Sequence, residues 1–455
     1  MKKNWGYILF TALILLLCLT PSVGMLAGVR TESGGNEVLA QPPSLRDREG
    51  ALNASYLTDL TGYAEDNYFL RPQFVTAWSA LNQRLLGTSI ADNVLLGHGG
   101  WLYFADTLDD YTGSNLLSQR EIFSAARNLA LMAEYSQSQG AQFLFTIAPN
   151  KNSLYPQYMP NLPVFSQSRN VDALYEALEA DGTPSLRLSA AFESVDEILY
   201  FTQDSHWNSK GAALAADWIN TALRRDSARY YYGGTFAPET NHLSDLYAML
   251  YPTGSWRETD YKYAGTLNFT YDSPIRSAND MTITTTGQGR DSLLMFRDSF
   301  GELLYPYLAD SFAHAQFSRS AAYRLNLIAE RQADCVVIEL VERNIGYLLQ
   351  YTPVMPAPVR EAPEAAPLRE GPAQLFLDVS PSRDLEGCVL ASGKLPEGPS
   401  DDSKVFLCTE NACYEAFLME EQGFALYVPE EALAGEALTL VFTTSAGVVS
   451  LPVAL

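Results

Sequence analysis

The chain has 455 residues, of which 53 are acidic and 30 are basic, and its formal net charge is -23. This charge argues against a nucleic-acid partner, because phosphate backbones require a basic surface, and against docking onto an anionic membrane surface. A chain of this length is well beyond one minimal core, so we expect one large domain and a second, smaller region.

The first 29 residues differ in composition from the rest of the chain. Lys2 and Lys3 precede an uncharged, mainly apolar stretch, and about 20 such residues are enough to cross a bilayer, with the lysines on the inner side. Segment 1–29 is therefore interpreted as a signal anchor of a single-pass membrane protein, followed by a polar tether over residues 30–50. The alternative is a cleaved signal peptide and a secreted product, since Pro21 interrupts the stretch. Either interpretation places the remaining chain outside the cytoplasm.

Apolar segments of strand length alternate with helical patterns over residues 51–351. Continuous apolar strands that alternate with helices indicate an α/β fold, in which helices cover both faces of a parallel sheet. The predicted strands lie at 101–104, 143–148, 186–188, 198–201, 293–296 and 336–339. The predicted helices lie within 56–86 and at 118–138, 171–180 and 208–224, with another from about residue 300.

The composition changes after residue 351. Residues 352–373 contain six prolines and are predicted to form a semi-rigid linker. Short strands between turns then predict a small β-sandwich over residues 374–455. Cys408 and Cys413 flank a predicted hairpin tip and could form a disulfide after export; the alternative is that they and Cys388 are buried free thiols. No Cys/His spacing resembles a zinc site, so we expect no metal.

Ser299 is the first candidate functional residue, since it follows a predicted strand and precedes a predicted helix. Backbone N–H groups converge at such a strand–turn–helix junction and can stabilise an oxyanion. The other interpretation is that Asp298 and Ser299 form an ordinary helix cap.

Asp204 and His206 form the second candidate, between a predicted strand and a predicted helix. Side chains alternate along an extended segment, so both can turn the same way, and the carboxylate can then fix the imidazole tautomer that accepts a serine proton. A loop histidine beside a helix cap is the other interpretation. Both candidate elements follow predicted strands, and the active sites of open α/β sheets lie at strand C-terminal ends. The remaining histidines, His98, His242 and His314, have no such companions and are expected to be structural.

Five segments together resemble the DHHW proteins and the alginate O-acetylation proteins of the AlgJ and AlgX type, in the SGNH hydrolase-like group. The resemblance covers roughly residues 56–350 and implies an SGNH-like parallel sheet flanked by helices. The segments are Gly99-Gly100-Trp101-Leu102-Tyr103, Ala148-Pro149-Asn150-Lys151, Asp204-Ser205-His206-Trp207, Arg297-Asp298-Ser299-Phe300-Gly301 and Val341-Glu342-Arg343-Asn344.

The resemblance assigns roles to residues at these positions. It implies that Ser299 is the nucleophile, His206 the base and Asp204 the partner that orients the base. Asn150 and Arg343, at other predicted strand ends, are implied to support the site or its oxyanion.

The resemblance also implies an activity and partners. The activity is that of an extracytoplasmic serine O-acyltransferase, in particular an O-acetyltransferase, which modifies a cell-envelope polysaccharide through an acyl-serine intermediate. A multi-pass membrane acyltransferase is the implied partner, and no cofactor is expected. Capture of the acyl group by water would instead give a carbohydrate esterase or deacetylase. A membrane-anchored scaffold without activity is a further alternative, since Ser205 replaces the first of the two histidines that name the DHHW proteins.

Overall fold

The computed structural model describes residues 5–29, 39–46, 50–224, 228–361, 363–367, 374–396, 398–433, 437–445 and 447–455. Residues 30–38 and 47–49 of the predicted tether lie outside this part, as do residues 362 and 368–373 of the predicted linker. The described chain forms a mixed α/β region followed by a strand-rich C-terminal region.

Helices and strands intermix along the α/β region. The helices are α1 (Trp5–Leu26), α2 (Tyr56–Asn67), α3 (Arg71–Leu86), α4 (Leu108–Thr112), α5 (Gln119–Ser138), α6 (Lys151–Leu154), α7 (Asn170–Asp181), α8 (Leu188–Glu193), α9 (Ser209–Ala222), α10 (Asp245–Leu250), α11 (Gly301–Ser311), α12 (Leu327–Arg331) and α13 (Tyr347–Gln350). The strands are β1 (Val94–Leu96), β2 (Leu102–Phe104), β3 (Gln142–Ala148), β4 (Ser185–Arg187), β5 (Phe236–His242), β6 (Glu258–Tyr263), β7 (Thr270–Tyr271), β8 (Thr282–Thr286), β9 (Ser292–Phe296), β10 (His314–Ser318) and β11 (Cys335–Val341).

The central sheet has the strand order β4-β3-β11-β9-β10-β8-β7. The strands from β4 to β10 in this order run parallel, and β8 and β7 extend the sheet in antiparallel pairing. Every residue of β11 is buried, with Val337 packed towards α9 and α11 and Ile338 towards α5 and α7. Burial on both faces is why these strands have no polar alternation in the sequence. The predicted α/β fold is confirmed.

The segment 198–201, predicted to be a strand of this sheet, is irregular. Tyr200 makes only an isolated bridge with Trp207, although Leu199, Tyr200 and Phe201 are buried. The apolar run therefore reflects burial in the core beneath α8 and α9, not pairing in a sheet. The prediction that Asp204 and His206 follow a sheet strand is wrong, because they lie in the loop that leads into α9.

Helix α1 is uncharged and 22 residues long. A helix of this length rises roughly 33 Å, which matches the hydrocarbon core of a bilayer. By length and composition α1 can cross a membrane, and the predicted single-pass anchor is compatible with it.

The C-terminal region contains β12 to β22. These strands are β12 (Val359–Arg360), β13 (Ala366–Pro367), β14 (Leu375–Phe376), β15 (Asp378–Pro381), β16 (Cys388–Lys394), β17 (Val405–Cys408), β18 (Cys413–Glu415), β19 (Phe417–Leu418), β20 (Gly423–Pro429), β21 (Leu438–Thr444) and β22 (Gly447–Ala454).

Two sheets of this region share one core. One has the order β12-β18-β17-β21-β22-β13, with β14 also on β22, and the other has the order β15-β16-β20-β19. Leu407 and Leu440 of the first sheet and Ala391 and Leu426 of the second belong to one buried cluster. Strands β12 and β13, from the predicted linker, take part in the first sheet.

A disulfide joins Cys408 to Cys413 at the tip of the hairpin formed by β17 and β18. Cys388 is a free, partly exposed thiol. The hairpin interpretation of the two cysteines is therefore the one that the structure supports.

The C-terminal region packs on α5 through a buried ion pair. Both carboxylate oxygens of Glu415 accept hydrogen bonds from Arg127, at 2.7 and 2.8 Å, and Arg360 donates a further bond at 2.7 Å. The side-chain amide of Asn128 donates to the carbonyl oxygen of Leu418 at 2.8 Å and accepts from the backbone N–H of Leu418 at 2.9 Å. These contacts join the two regions of the chain through side chains that are largely buried.

Candidate active site

Ser299 lies in the turn between β9 and α11 and is half-buried. The carboxylate of Asp298 accepts hydrogen bonds from the backbone N–H groups of Phe300, at 2.9 Å, and Val341, at 2.6 Å. The turn is therefore tied both to itself and to the end of β11. Ser299 stands just before the N-terminus of α11, where the helix dipole favours negative charge.

Ser299, His206 and Asp204 form one chain of hydrogen bonds. Nε2 of His206 lies 2.9 Å from Oγ of Ser299, and Nδ1 lies 2.7 Å from Oδ1 of Asp204. A carboxylate only accepts hydrogen bonds, so Nδ1 carries a proton and Nε2 is the nitrogen that can accept the serine proton. The loop and the turn, 93 positions apart in sequence, thus bring the three predicted residues into contact.

The charges around His206 favour its protonated form. Burial alone would lower the pKa of His206, but the hydrogen bond and charge of Asp204, with the charge of Asp245, raise it to about 8. Burial would raise the pKa of Asp204, but hydrogen bonds from His206 and His242 hold it well below its ordinary value. Asp204 is therefore anionic at neutral pH and stabilises the positive charge that His206 acquires when it takes a proton.

Lys151 holds the loop that carries Asp204. This lysine is buried at the start of α6, and its ammonium group donates to the carbonyl oxygens of Phe201, Thr202 and Asp204 at 3.2, 3.0 and 2.6 Å. Burial lowers the pKa of Lys151 to about 8, against the opposing charge of nearby carboxylates, of which Asp204 acts most strongly. The loop thus takes its shape from hydrogen bonds to the end of β3 in place of sheet pairing.

Arg343, one of the two predicted support residues, lies beside the candidate triad. It follows β11, and its guanidinium carbon is 5.9 Å from the ring centre of Phe300, which is next to Ser299. Its positive charge acts on His206 and lowers the pKa of that imidazole. Arg343 is thus a cation at the edge of the site.

Asn150, the other support residue, lies in a polar network at the end of β3. Its backbone N–H donates to Glu342 at 2.8 Å, and its side-chain amide donates to Asp110 at 3.3 Å. Glu342 also accepts hydrogen bonds from Ser153 and Arg169. The hydrogen bonds of Asn150 thus lead to this network, and its link to the triad runs through Glu342, the neighbour of Arg343.

His242 and Asp245 contact the candidate triad, although no sequence pattern indicated a role for them. Nε2 of His242 lies 2.9 Å from Oδ2 of Asp204, and the backbone N–H of Asp245 donates to the same oxygen at 2.8 Å. The carboxylate of Asp245 accepts from the side chain and the backbone N–H of Ser205, at 2.5 and 2.8 Å. The prediction that His242 lacks companions is wrong, because it contacts Asp204. The two residues are 38 positions apart in the sequence, so local spacing does not indicate this contact.

Asp204, His206 and Asp245 each present a potential metal ligand, and these three atoms lie within 4.8 Å of one another. Hydrogen bonds among these residues and Ser205 account for their proximity. We therefore assign no metal to this group.

Residues 94–275 match the family model described as the SGNH hydrolase-like domain of the acetyltransferase AlgX. The chain is also 24% identical, over 178 residues, to the probable alginate O-acetylase AlgJ of Pseudomonas syringae pv. tomato (strain ATCC BAA-871 / DC3000). That alignment covers 38% of this chain and 44% of the relative, so the chain matches less than half of the relative's length. The resemblance predicted from the sequence is confirmed: residues 94–275 are similar to an SGNH hydrolase-like domain.

Three solved structures are similar to the chain at low identity. Bacillus cereus PatB1 is 18% identical with a TM-score of 0.43, over 55% of this chain and 96% of PatB1. A DHHW family protein from Eubacterium siraeum DSM 15702 is 15% identical with a TM-score of 0.39, over 50% of this chain and 89% of that protein. The O-acetyltransferase domain of Pseudomonas putida AlgJ is 16% identical with a TM-score of 0.37, over 57% of this chain and 93% of that domain.

Proposed function

We propose that the protein is an extracytoplasmic serine O-acetyltransferase that modifies a cell-envelope polysaccharide. The observation that carries the proposal is the hydrogen-bond chain from Ser299 through His206 to Asp204, with distances of 2.9 and 2.7 Å. The match to the AlgX acetyltransferase model and to a probable alginate O-acetylase supports acetyl transfer and a polysaccharide acceptor.

In the first half of the reaction, Ser299 takes the acetyl group from a donor ester. Oγ attacks the carbonyl carbon of the donor while its proton passes to Nε2 of His206. The carbonyl oxygen becomes negative, and the N-terminus of α11 and the cation of Arg343 favour that charge. When the intermediate collapses, the donor's alcohol oxygen leaves with the proton of His206 and acetyl-Ser299 remains.

In the second half, a sugar hydroxyl replaces the leaving alcohol. The hydroxyl gives its proton to His206 as its oxygen attacks the acetyl carbon, and Oγ of Ser299 then leaves and recovers the proton. The product is an acetylated sugar and the free enzyme. Asp204 stays anionic throughout and stabilises the imidazolium form of His206.

Water can take the place of the sugar in the second half. The product would then be acetate, and the protein would be an esterase or deacetylase with the same three residues. The difference lies in whether the bound acceptor excludes water from acetyl-Ser299.

We further propose that α1 anchors the protein in the cell membrane as a single-pass protein. The support is the length and apolar composition of this helix. A multi-pass membrane acyltransferase that supplies acetyl groups is the partner implied by the resemblance to the alginate O-acetylation proteins. Asn150 remains a proposed support residue, which would act through Glu342 and Arg343.

The proposal is tested with the full chain in detergent, an activated acetyl ester and envelope oligosaccharides. Acetyl groups should appear on the sugar with the wild type and be absent with Ser299→Ala. Ser138→Ala, an exposed serine at the end of α5, is the matched control and should behave as the wild type. Release of acetate without sugar acetylation would assign the esterase. If no serine-dependent reaction occurs, with or without membranes that contain a candidate partner, the remaining interpretation is a membrane-anchored scaffold without activity.

A further inference from the structure

The two carboxylate oxygens of Asp204 are contacted by two different histidines. Oδ1 accepts from Nδ1 of His206 at 2.7 Å and from the backbone N–H of the same residue at 3.0 Å. Oδ2 accepts from Nε2 of His242 at 2.9 Å and from the backbone N–H of Asp245 at 2.8 Å. Asp204 is buried, so its hydrogen bonds are made to protein groups in place of solvent.

His242 is held rigidly in this position. It ends β5, where the pairing with β6 changes register between Thr240 and His242. Its imidazole lies parallel to the ring of Phe201, with an angle of 2° between the planes and 3.9 Å between the ring centres. Phe201 is buried in the loop that leads to Asp204, and its carbonyl oxygen accepts from Lys151. The segment between α9 and β8 thus places His242 against the loop that carries Asp204.

We propose that His242 is a positioning residue for the acyl transfer, which holds the Asp204 carboxylate so that Oδ1 faces His206. This inference rests on the proposed function, since it concerns the same site. A carboxylate rotates easily about the bond to its Cβ unless both oxygens are restrained. The bonds of His242 and Asp245 to Oδ2 supply that restraint from one side, and the bonds of His206 to Oδ1 supply it from the other.

His242 also affects the negative charge on the oxygen of Asp204 that contacts His206. A donor on Oδ2 draws negative charge away from Oδ1, so its removal makes Asp204 more basic and strengthens the hold on the His206 proton. His242 itself faces Asp204, Glu258 and Asp260, all acidic, which oppose the effect of burial on its own pKa and raise it. Nε2 carries a proton in both the neutral form that donates to Asp204 and the charged form, so the hydrogen bond persists across neutral pH.

The test compares His242→Ala with His242→Gln in the full chain. The side-chain amide of glutamine can donate to Oδ2 but does not titrate in this range. Phenylmethylsulfonyl fluoride serves as the probe, and the measured quantity is its rate of reaction with Ser299, followed by protein mass across pH. We expect His242→Ala to slow the reaction about tenfold, a typical loss when a residue that orients another functional side chain is removed. Its pH midpoint should move higher, and His242→Gln should restore most of the rate.

A second readout separates this inference from the proposed function. Nitrogen-labelled histidine gives the titration of His206 by NMR whether or not Ser299 reacts with any probe. His242→Ala should raise the midpoint of that titration. His314→Ala, at the first residue of β10, should leave it unchanged. A wild type that never reacts at Ser299 would contradict the proposed function alone. A wild-type rate and an unchanged His206 titration in His242→Ala would overturn the positioning role.

Discussion

The ammonium group of Lys151 lies 2.6 Å from the backbone carbonyl oxygen of Asp204. This bond joins the start of α6, just after β3, to a loop more than fifty positions later in the chain. The same ammonium group also holds the carbonyl oxygens of Phe201 and Thr202. The acid of the candidate triad is therefore placed by a buried lysine of the sheet edge as well as by its own loop.

Replacement of this lysine should destabilise the protein. Lys151→Met keeps the length of the side chain but removes the lysine donor from the carbonyl oxygens of Phe201 and Asp204, while that of Thr202 keeps the backbone N–H of Leu102. Loss of a partner for buried polar groups suggests a decrease of about 3 kcal/mol in the free energy of unfolding. Denaturant unfolding measures this change, and the variant should also react more slowly at Ser299.

The control for Lys151 is Lys262→Met. Lys262 is mostly exposed and pairs with Glu239 at 2.7 Å. Exposed ion pairs contribute little, so its free energy of unfolding should change far less than that of Lys151→Met. Equal losses in the two variants would contradict the special role of Lys151.

The reaction of Ser299 should depend on the protonation of His206. Only the neutral imidazole accepts the serine proton, and the pKa of His206 is raised to about 8. The rate with a sulfonyl fluoride should therefore rise about tenfold per pH unit below that value and become level above it. A profile that is level from pH 6 to pH 9, which spans roughly the range where histidine titrates, would show that His206 is not the base.

Asp204→Asn should change both the rate and its pH profile. The neutral amide cannot stabilise the imidazolium, so the midpoint of the pH profile should fall below that of the wild type, and the plateau rate should fall by about 10³–10⁴ as for other triads.

The raised pKa of His206 also affects the stability of the fold. The stabilisation from the ion pair of His206 and Asp204 is complete below the unfolded histidine pKa of about 6.5 and is lost as the pH rises through the folded value. The difference in thermal stability between the wild type and the variant should thus narrow as the pH rises through the folded pKa of His206.

Removal of the buried carboxylate between the two regions should destabilise the whole chain. Glu415→Ala removes the buried carboxylate from the guanidinium groups of Arg127 and Arg360, which keep their contacts with the more exposed Glu134. Breaking a buried ion pair in this way suggests a loss of about 3–5 kcal/mol, measured by denaturant unfolding. Glu421→Ala, which removes an exposed pair with Lys394, should lose far less stability than Glu415→Ala. A Glu415→Ala protein as stable as the Glu421→Ala protein would show that the two regions do not depend on this contact.

The sequence was sufficient to predict the elements whose patterns are local. β3, β9 and β11 are continuous apolar runs, and α5 begins with a capping box between Ser118 and Glu121. The segment 198–201 has the same apolar character, but its burial under helices produces the pattern without a pairing partner. Apolar runs of four residues do not separate these two origins.

The residues around the candidate triad were only partly predictable. Asp204 and His206 stand two positions apart, so their relation is visible in the sequence. His242 reaches Asp204 from a hairpin 38 positions later, and Lys151 reaches it from a different strand end. Such contacts depend on how loops fold over the sheet edge, which has no periodic signal. The resemblance to a known family marked Lys151 as part of a motif but did not indicate which atoms it would hold.

The most direct test of Ser299 as the nucleophile is the mass of the intact protein after brief exposure to an activated acetyl ester. We expect a single added acetyl group on the wild type, located on the peptide that contains Ser299, and its transfer to an envelope oligosaccharide when the sugar is added. Ser299→Ala should gain no such group, and His206→Ala should gain it far more slowly. Acetyl groups that appear equally on the wild type and on Ser299→Ala would contradict the assignment of Ser299 as the nucleophile.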